Sequence, residues 1–153
     1  MNIPQPHPDL PDNHFENDER LFHALQKGHV MGNTVLPGAI SLASNALSCN
    51  REKYRSFPHA VLAVKKPEDK YERVGFVLPG NLPPNASANG MVVWEFVVDH
   101  APILENYSHA EVRAKQIGRP FNTETKINAR LKLEMKASLA ERMEVLPRYG
   151  PNL

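Results

Sequence analysis

Cysteine is nearly absent. Cys49 stands alone in 153 residues, so no internal disulfide forms, and without a CxxC pair there is no cysteine-type zinc site. A lone thiol of this kind reads as a small, half-buried apolar residue. No stretch approaches the roughly 18 uninterrupted apolar residues of a membrane span, and the Pro-rich start lacks the basic-then-apolar order of a secretory signal. The expectation is a cytoplasmic, soluble protein with no membrane contact. A formal net charge of +1 gives no global attraction to nucleic acid, so any such binding depends on a local patch. The glycines form neither GxGxxG nor GxxxxGK[ST], which removes the common nucleotide-fold signatures. A GxSxG elbow is missing as well, and Ser41, Ser44 and Ser48 read as turn and cap material. No internal repeat is visible.

Proline is what the chain has in excess: 14 residues, about twice the usual share of ~5%. Pro4, Pro6, Pro8 and Pro11 alternate with polar residues, so residues 1–17 read as an extended or disordered arm, free to lie across a partner subunit. With 41% hydrophobic and 23% charged residues, residues 18–153 make one globular domain. Residues 18–28 read as an opening strand, with Leu21, His23 and Leu25 on one side, or else a short helix stopped at Gly28. Residues 33–50 read as an irregular connection with one short helix near Ser41 to Leu47. Residues 59–64 and 73–78 read as an antiparallel hairpin, and 91–98 as a central strand covered on both faces. A helix of roughly twenty residues is expected from Thr123 to Val145, capped by Asn122. Its stripe is Ile127, Leu131, Met135, Leu139 and Met143. Leu133 lies about 200° from Leu131, which points to a second contact surface such as another protomer. The expected fold is therefore α+β: a mainly antiparallel sheet of four to six strands packed by a long C-terminal helix.

The chemistry concentrates in residues 106–113. As a strand, this segment places Tyr107, His109, Glu111 and Arg113 on one face and Ser108, Ala110 and Val112 on the other. An imidazole with an ordinary pKa near ~6.5 holds both protonation states available at neutral pH. The leading expectation is a small enzyme acting on RNA or a nucleotide. His109 is its proton-transfer group, Glu111 the carboxylate partner, Arg113 the phosphate clamp, and His100 or His23 the second acid or base; Tyr107 and Tyr54 bind substrate. The bland counterpart is a solvated sheet face on which Glu111 pairs with a neighbouring cation. Asp99, His100, His109 and Glu111 match no metal-binding template, so no metal or cofactor is assigned. Lys115, Arg119, Lys126, Arg130, Lys132 and Lys136 bias the last third positive, either as a solvated helix face or as an RNA or phosphate track. A non-enzymatic adaptor, immunity or assembly module, using the arm and helix as interfaces, is a further reading.

The segment Asp18-Glu-Arg-Leu-Phe-His, followed by Leu47-Ser-Cys-Asn-Arg and Ser108-His-Ala-Glu-Val, resembles a loose set of small bacterial proteins. That resemblance implies no activity. Where the set carries an Arg and a Ser before its Leu-Ser-x-Asn-Arg motif, this chain reads Leu36-Pro-Gly-Ala-Ile-Ser-Leu42. The order of residues is also similar to ADP-ribosyltransferase-type folds. That similarity implies His23, Ser41 or Tyr54, and Glu111 around a nicotinamide pocket, with NAD as the substrate of a transferase or hydrolase.

Overall fold

The computed structural model describes residues 10–148 except 64, 66–69, 89 and 91. The opening strand β1 (Leu21–Gln26) is buried along both faces apart from His23 and Gln26, which requires a layer on each side of it. It pairs antiparallel with β4 (Ala46–Arg51) through Leu21 and Phe22, and with β5 (Tyr71–Val77) along its length. Between β1 and β4 lies a small hairpin of β2 (Val30–Met31) and β3 (Thr34–Val35). After β5 come β6 (Ala86–Ala88), β7 (Val92–His100) and β8 (His109–Gln116), and β9 (Glu144–Val145) closes the described chain. The main sheet runs β6-β7-β8-β4-β1-β5-β9, all antiparallel, and curls into a half-barrel.

The concave face holds the main core. Leu21, Leu25, Leu47, Cys49, Phe96 and Val112 meet Leu131, Met135 and Leu139 from helix α2 (Ala129–Glu141). Each such side chain contributes about 1.5–3 kcal/mol when fully buried. On the convex side, β1 and β5 are covered by the single helical turn α1 (Ala60–Ala63), which packs Val61 on Phe22, Val74 and Phe76. Among the described residues the convex face of β4, β7 and β8 carries no such cover, and apart from Val93 and Val97 on β7 it is mainly polar.

Several expectations are corrected. The main sheet has seven strands rather than four to six, and one helix exceeds seven residues, with thirteen rather than about twenty. Asn128 is the cap, its Oδ1 accepting from the backbone of Arg130 and Leu131; Asn122 instead accepts from Glu124 N–H within a turn. Of the expected stripe, Leu131, Met135 and Leu139 lie on the helix and are buried; Ile127 and Met143 are also buried but flank it, and Leu133 remains 66% exposed. The helix is shorter because the chain must turn at Arg142 to lay Glu144 and Val145 beside β5. Residues 60–63 form α1 instead of a hairpin strand, so β5 pairs with β1 and β9. Strand β7 is not central: only the three-residue β6 lies outside it, and Val92 and Val93 stay exposed. Gly75 marks the crossing of β9 and β5, where an added Cβ would lie 2.9 Å from the Met143 side chain.

Strand β4 ends in Arg51, fully buried. Its guanidinium grips Glu19 bidentately, with Nε and Nη2 each 2.8 Å from a carboxylate oxygen. It also donates to the carbonyls of Asp12 and, at 2.7 Å, His14. Phe15 stacks on it at 3.8 Å. The backbone N–H of Arg51 reaches Ser108 O at 2.8 Å. A buried guanidinium tolerates this position only because its donors are paired. Glu19→Gln keeps the shape but removes the counter-charge. We expect it to lower unfolding free energy in urea by about 3–5 kcal/mol, whereas a loss under about 1 kcal/mol, as for an exposed pair, would contradict this assignment.

Candidate functional site

The antiparallel register decides which groups share the convex face. Ser48 lies opposite Glu111 and Asn50 opposite His109 across β4 and β8, while Asp99 lies opposite Glu111 and Glu95 opposite Lys115 across β7 and β8. His109, Glu111 and Arg113 therefore do project together, with Ala110, Val112 and Ala114 pointing into the core. Tyr107 does not join them. It precedes the strand, is buried, and donates from its hydroxyl to Leu10 O.

His109 has both ring nitrogens placed. Nδ1–H donates to Ala101 O at 2.8 Å, which leaves Nε2 to accept from the Ser48 hydroxyl at 3.3 Å. Ser48 is exposed, so this hydroxyl, held by an oriented base, faces solvent. Beside it, the polarity of a side-chain chain follows from arginine, which only donates. Arg55 Nη2 donates to Asn106 Oδ1, so Asn106 Nδ2 donates to Asn50 Oδ1 at 2.6 Å. The amide nitrogen of Asn50 is then left without a partner among the described residues, on a residue of the same face as Ser48 whose Cα lies about 6.8 Å along the strand from that of Ser48.

His23 also converges on Ser48, from the concave side. Strands β1 and β4 part after Phe22 and Asn50, and the His23 ring enters the gap, Nδ1–H donating to Ser48 O at 2.8 Å. Its other nitrogen faces Ala39 O at 3.4 Å. Burial pushes this imidazole below its ordinary pKa, against the help of both carbonyls.

His100 is not brought to His109. It is buried on the concave side, opposite Ala110; Nδ1 accepts from Asp12 N–H at 2.8 Å and Nε2–H donates to Tyr107 O at 2.6 Å. Tyr54 stacks on His100 at 5.5 Å and meets Tyr107 edge-on. These aromatic groups hold the N-terminal segment: the Tyr54 hydroxyl and Lys53 ammonium both donate to Asp12 Oδ2, at 2.6 and 2.7 Å. Lys53 first, then Tyr54, keeps the Asp12 carboxyl far below the usual carboxylate range.

Arg113 is engaged by Glu111 at 2.8 Å and Asp99 at 3.0 Å, and Lys115 Nζ donates to the carbonyls of Gln116 and Arg119. Both are thus spoken for by the protein. Cys49, next to Ser48, faces the core, and burial raises its thiol to about 12. Among the described residues no group of three or more His, Cys, Asp or Glu can hold a metal ion, and no helix is long and apolar enough to cross a membrane. No family model, curated protein or solved structure matches the chain.

Ser48 is the residue that sequence reading missed, because strand β4 is built from Ala, Ser, Cys and Asn rather than β-branched residues. The alternation of Leu47 and Cys49 with Ser48 and Asn50 was the available signal.

The depressed His23 pKa has a pH signature. The unfolded chain takes up the proton first as pH falls below ~6.5, so the stability from a neutral His23 is full above that value and lost below it. Wild type is expected to exceed His23→Gln in urea stability at pH 7.5, with the gap narrowing steadily below ~6.5. A gap that stays constant or widens on acidification would contradict the geometry.

Proposed function

We propose that the protein is a small hydrolase or acyl transferase in which Ser48 is the nucleophile and His109 its base. What carries the reading is the imidazole itself: Nδ1–H is tied to a main-chain carbonyl and Nε2 is directed at an exposed hydroxyl. A third group orienting the base is the arrangement by which a weak hydroxyl nucleophile is activated. Ser48 Oγ adds to the substrate carbonyl carbon and its proton passes to His109 Nε2. The carbonyl π pair moves to oxygen, for which Asn50 Nδ2–H, without a partner among the described residues, is the assigned donor. Collapse expels the leaving alcohol, which takes the proton back from Nε2; water then repeats the sequence on the acyl-serine and returns the free hydroxyl.

The convex face favours an uncharged ester over a phosphodiester. Glu95, Asp99 and Glu111 outnumber Arg113 and Lys115 there, and Arg113 is already bound by two carboxylates. An incoming phosphate would compete with both for the one guanidinium.

A fluorophosphonate ester, neutral and reactive toward activated serines, tests the site directly. Mass spectrometry is expected to place the label on Ser48. Ser48→Ala should abolish it and His109→Ala should slow it by about 10²–10⁴-fold. Asn50→Ala should slow it by about 10²–10³-fold. Absence of label from correctly folded wild type, or label undiminished in His109→Ala, rejects the reading.

A further inference from the structure

A second, separate site lies at the far end of β8, six residues or about 20 Å from His109. Here a cleft of ≈ 260 Å³ is bordered by Trp94, Gln116, Arg119, Phe121, Asn122 and Thr125. Trp94 is only 3% exposed, yet its indole N–H has no acceptor among the described residues. That nitrogen is not sealed inside the protein, and Trp94 borders both this cleft and a neighbouring one of ≈ 210 Å³. The indole N–H of a buried tryptophan ordinarily finds a partner, and here it is open to an acceptor that enters one of the two clefts.

The walls are preformed. Lys115 Nζ holds the turn at Gly118 (φ 79°) by donating to Gln116 O and Arg119 O. Buried Asn45, itself at positive φ, uses its amide to fix Asn122 O at 3.0 Å and Thr125 O at 2.6 Å. Phe121 has the Arg113 guanidinium stacked at 4.6 Å, which anchors the ring while it lines the cleft. The side-chain groups left over are the Trp94 N–H, the Asn122 Nδ2–H donor, the exposed Arg119 guanidinium, which has no partner among the described residues, and the Gln116 amide, which can both donate and accept. This set combines aromatic surface, in-plane hydrogen bonding and one free cation at the rim.

We propose that this cleft binds a mononucleotide, its base against Phe121 with an acceptor edge on the Trp94 N–H, and its phosphate on Arg119. The volume sits just under the range of about 300–1,000 Å³ usual for small-molecule sites, which suits one ring system and not a run of bases. The site needs nothing from Ser48 or His109, so it stands or falls apart from the reaction proposed above.

Trp94 is the only tryptophan in the chain, and its fluorescence reports this cleft and the one beside it. Titrating the full chain with AMP or UMP is expected to quench it saturably. Adenosine and ribose 5-phosphate, each lacking half of the ligand, should need at least tenfold higher concentration. Arg119→Ala, which removes no hydrogen bond or ion pair to a described residue, should raise the nucleotide midpoint at least tenfold, and Ser48→Ala should leave it in place. The proposal is overturned by the absence of a saturable change, by an equal response to ribose 5-phosphate, or by an unaltered Arg119→Ala midpoint. A response to single-stranded RNA with none to mononucleotides overturns it in favour of a strand-binding surface.

Discussion

A guanidinium removed from water must find partners for its charge and its donors, and in this protein Arg51 finds them in residues 12–19, more than thirty positions before it in the chain. Glu19 supplies the counter-charge and the carbonyls of Asp12 and His14 take further donors. These contacts bring residues 12–19 against the end of β4. The backbone of the same residue holds Ser108, just before β8. One residue therefore sets where three segments meet: its side chain places the N-terminal segment against β4, and its backbone N–H holds the end of the 101–108 connection.

The polar chemistry is built outward from that junction. Asp12, placed by Arg51, donates its N–H to His100, and His100 in turn holds Tyr107 O. The connection from Ala101 to Ser108 is thus fixed at Tyr107 and Ser108, and Ala101 O within it orients His109. Ser48 is held from two sides, its carbonyl by His23 and its hydroxyl by His109. A network that satisfies buried polar groups in this way is stiff because each lost bond leaves a costly unpaired atom. His23 and His100 act as fasteners, and His109 is the imidazole left facing the surface.

Much of the architecture was legible where a single segment carried its own signal. The apolar character of residues 21–25 and the four-residue spacing of Leu131, Met135 and Leu139 each report burial locally, while the apolar run at 91–98 marked a strand without showing that it lies near the sheet edge. The parity of His109, Glu111 and Arg113 was legible for the same reason. Strand β4 was not, because Ala-Leu-Ser-Cys-Asn-Arg has little intrinsic strand preference and becomes a strand by pairing with β8. Four apolar residues at 60–63 are too short for periodicity to separate helix from strand. Arg51 and Glu19 are 32 positions apart and Ser48 and His109 are 61 apart, so neither pairing leaves a mark in local sequence. Arg113, the natural phosphate ligand by residue type, is engaged by Glu111 beside it and Asp99 across the sheet, a fact of register alone.

The account depends on Arg51 as the organiser of that junction, and Arg51→Lys isolates the claim because an ammonium keeps the charge but cannot span a bidentate carboxylate and two carbonyls. Amide hydrogen exchange, followed segment by segment under native conditions, is the most direct measurement. Faster exchange is predicted in residues 12–19, 48–54 and 101–109, with β5 and the α2 helix unchanged. Acceleration confined to residues 12–19, or spread evenly over the whole chain, would contradict it.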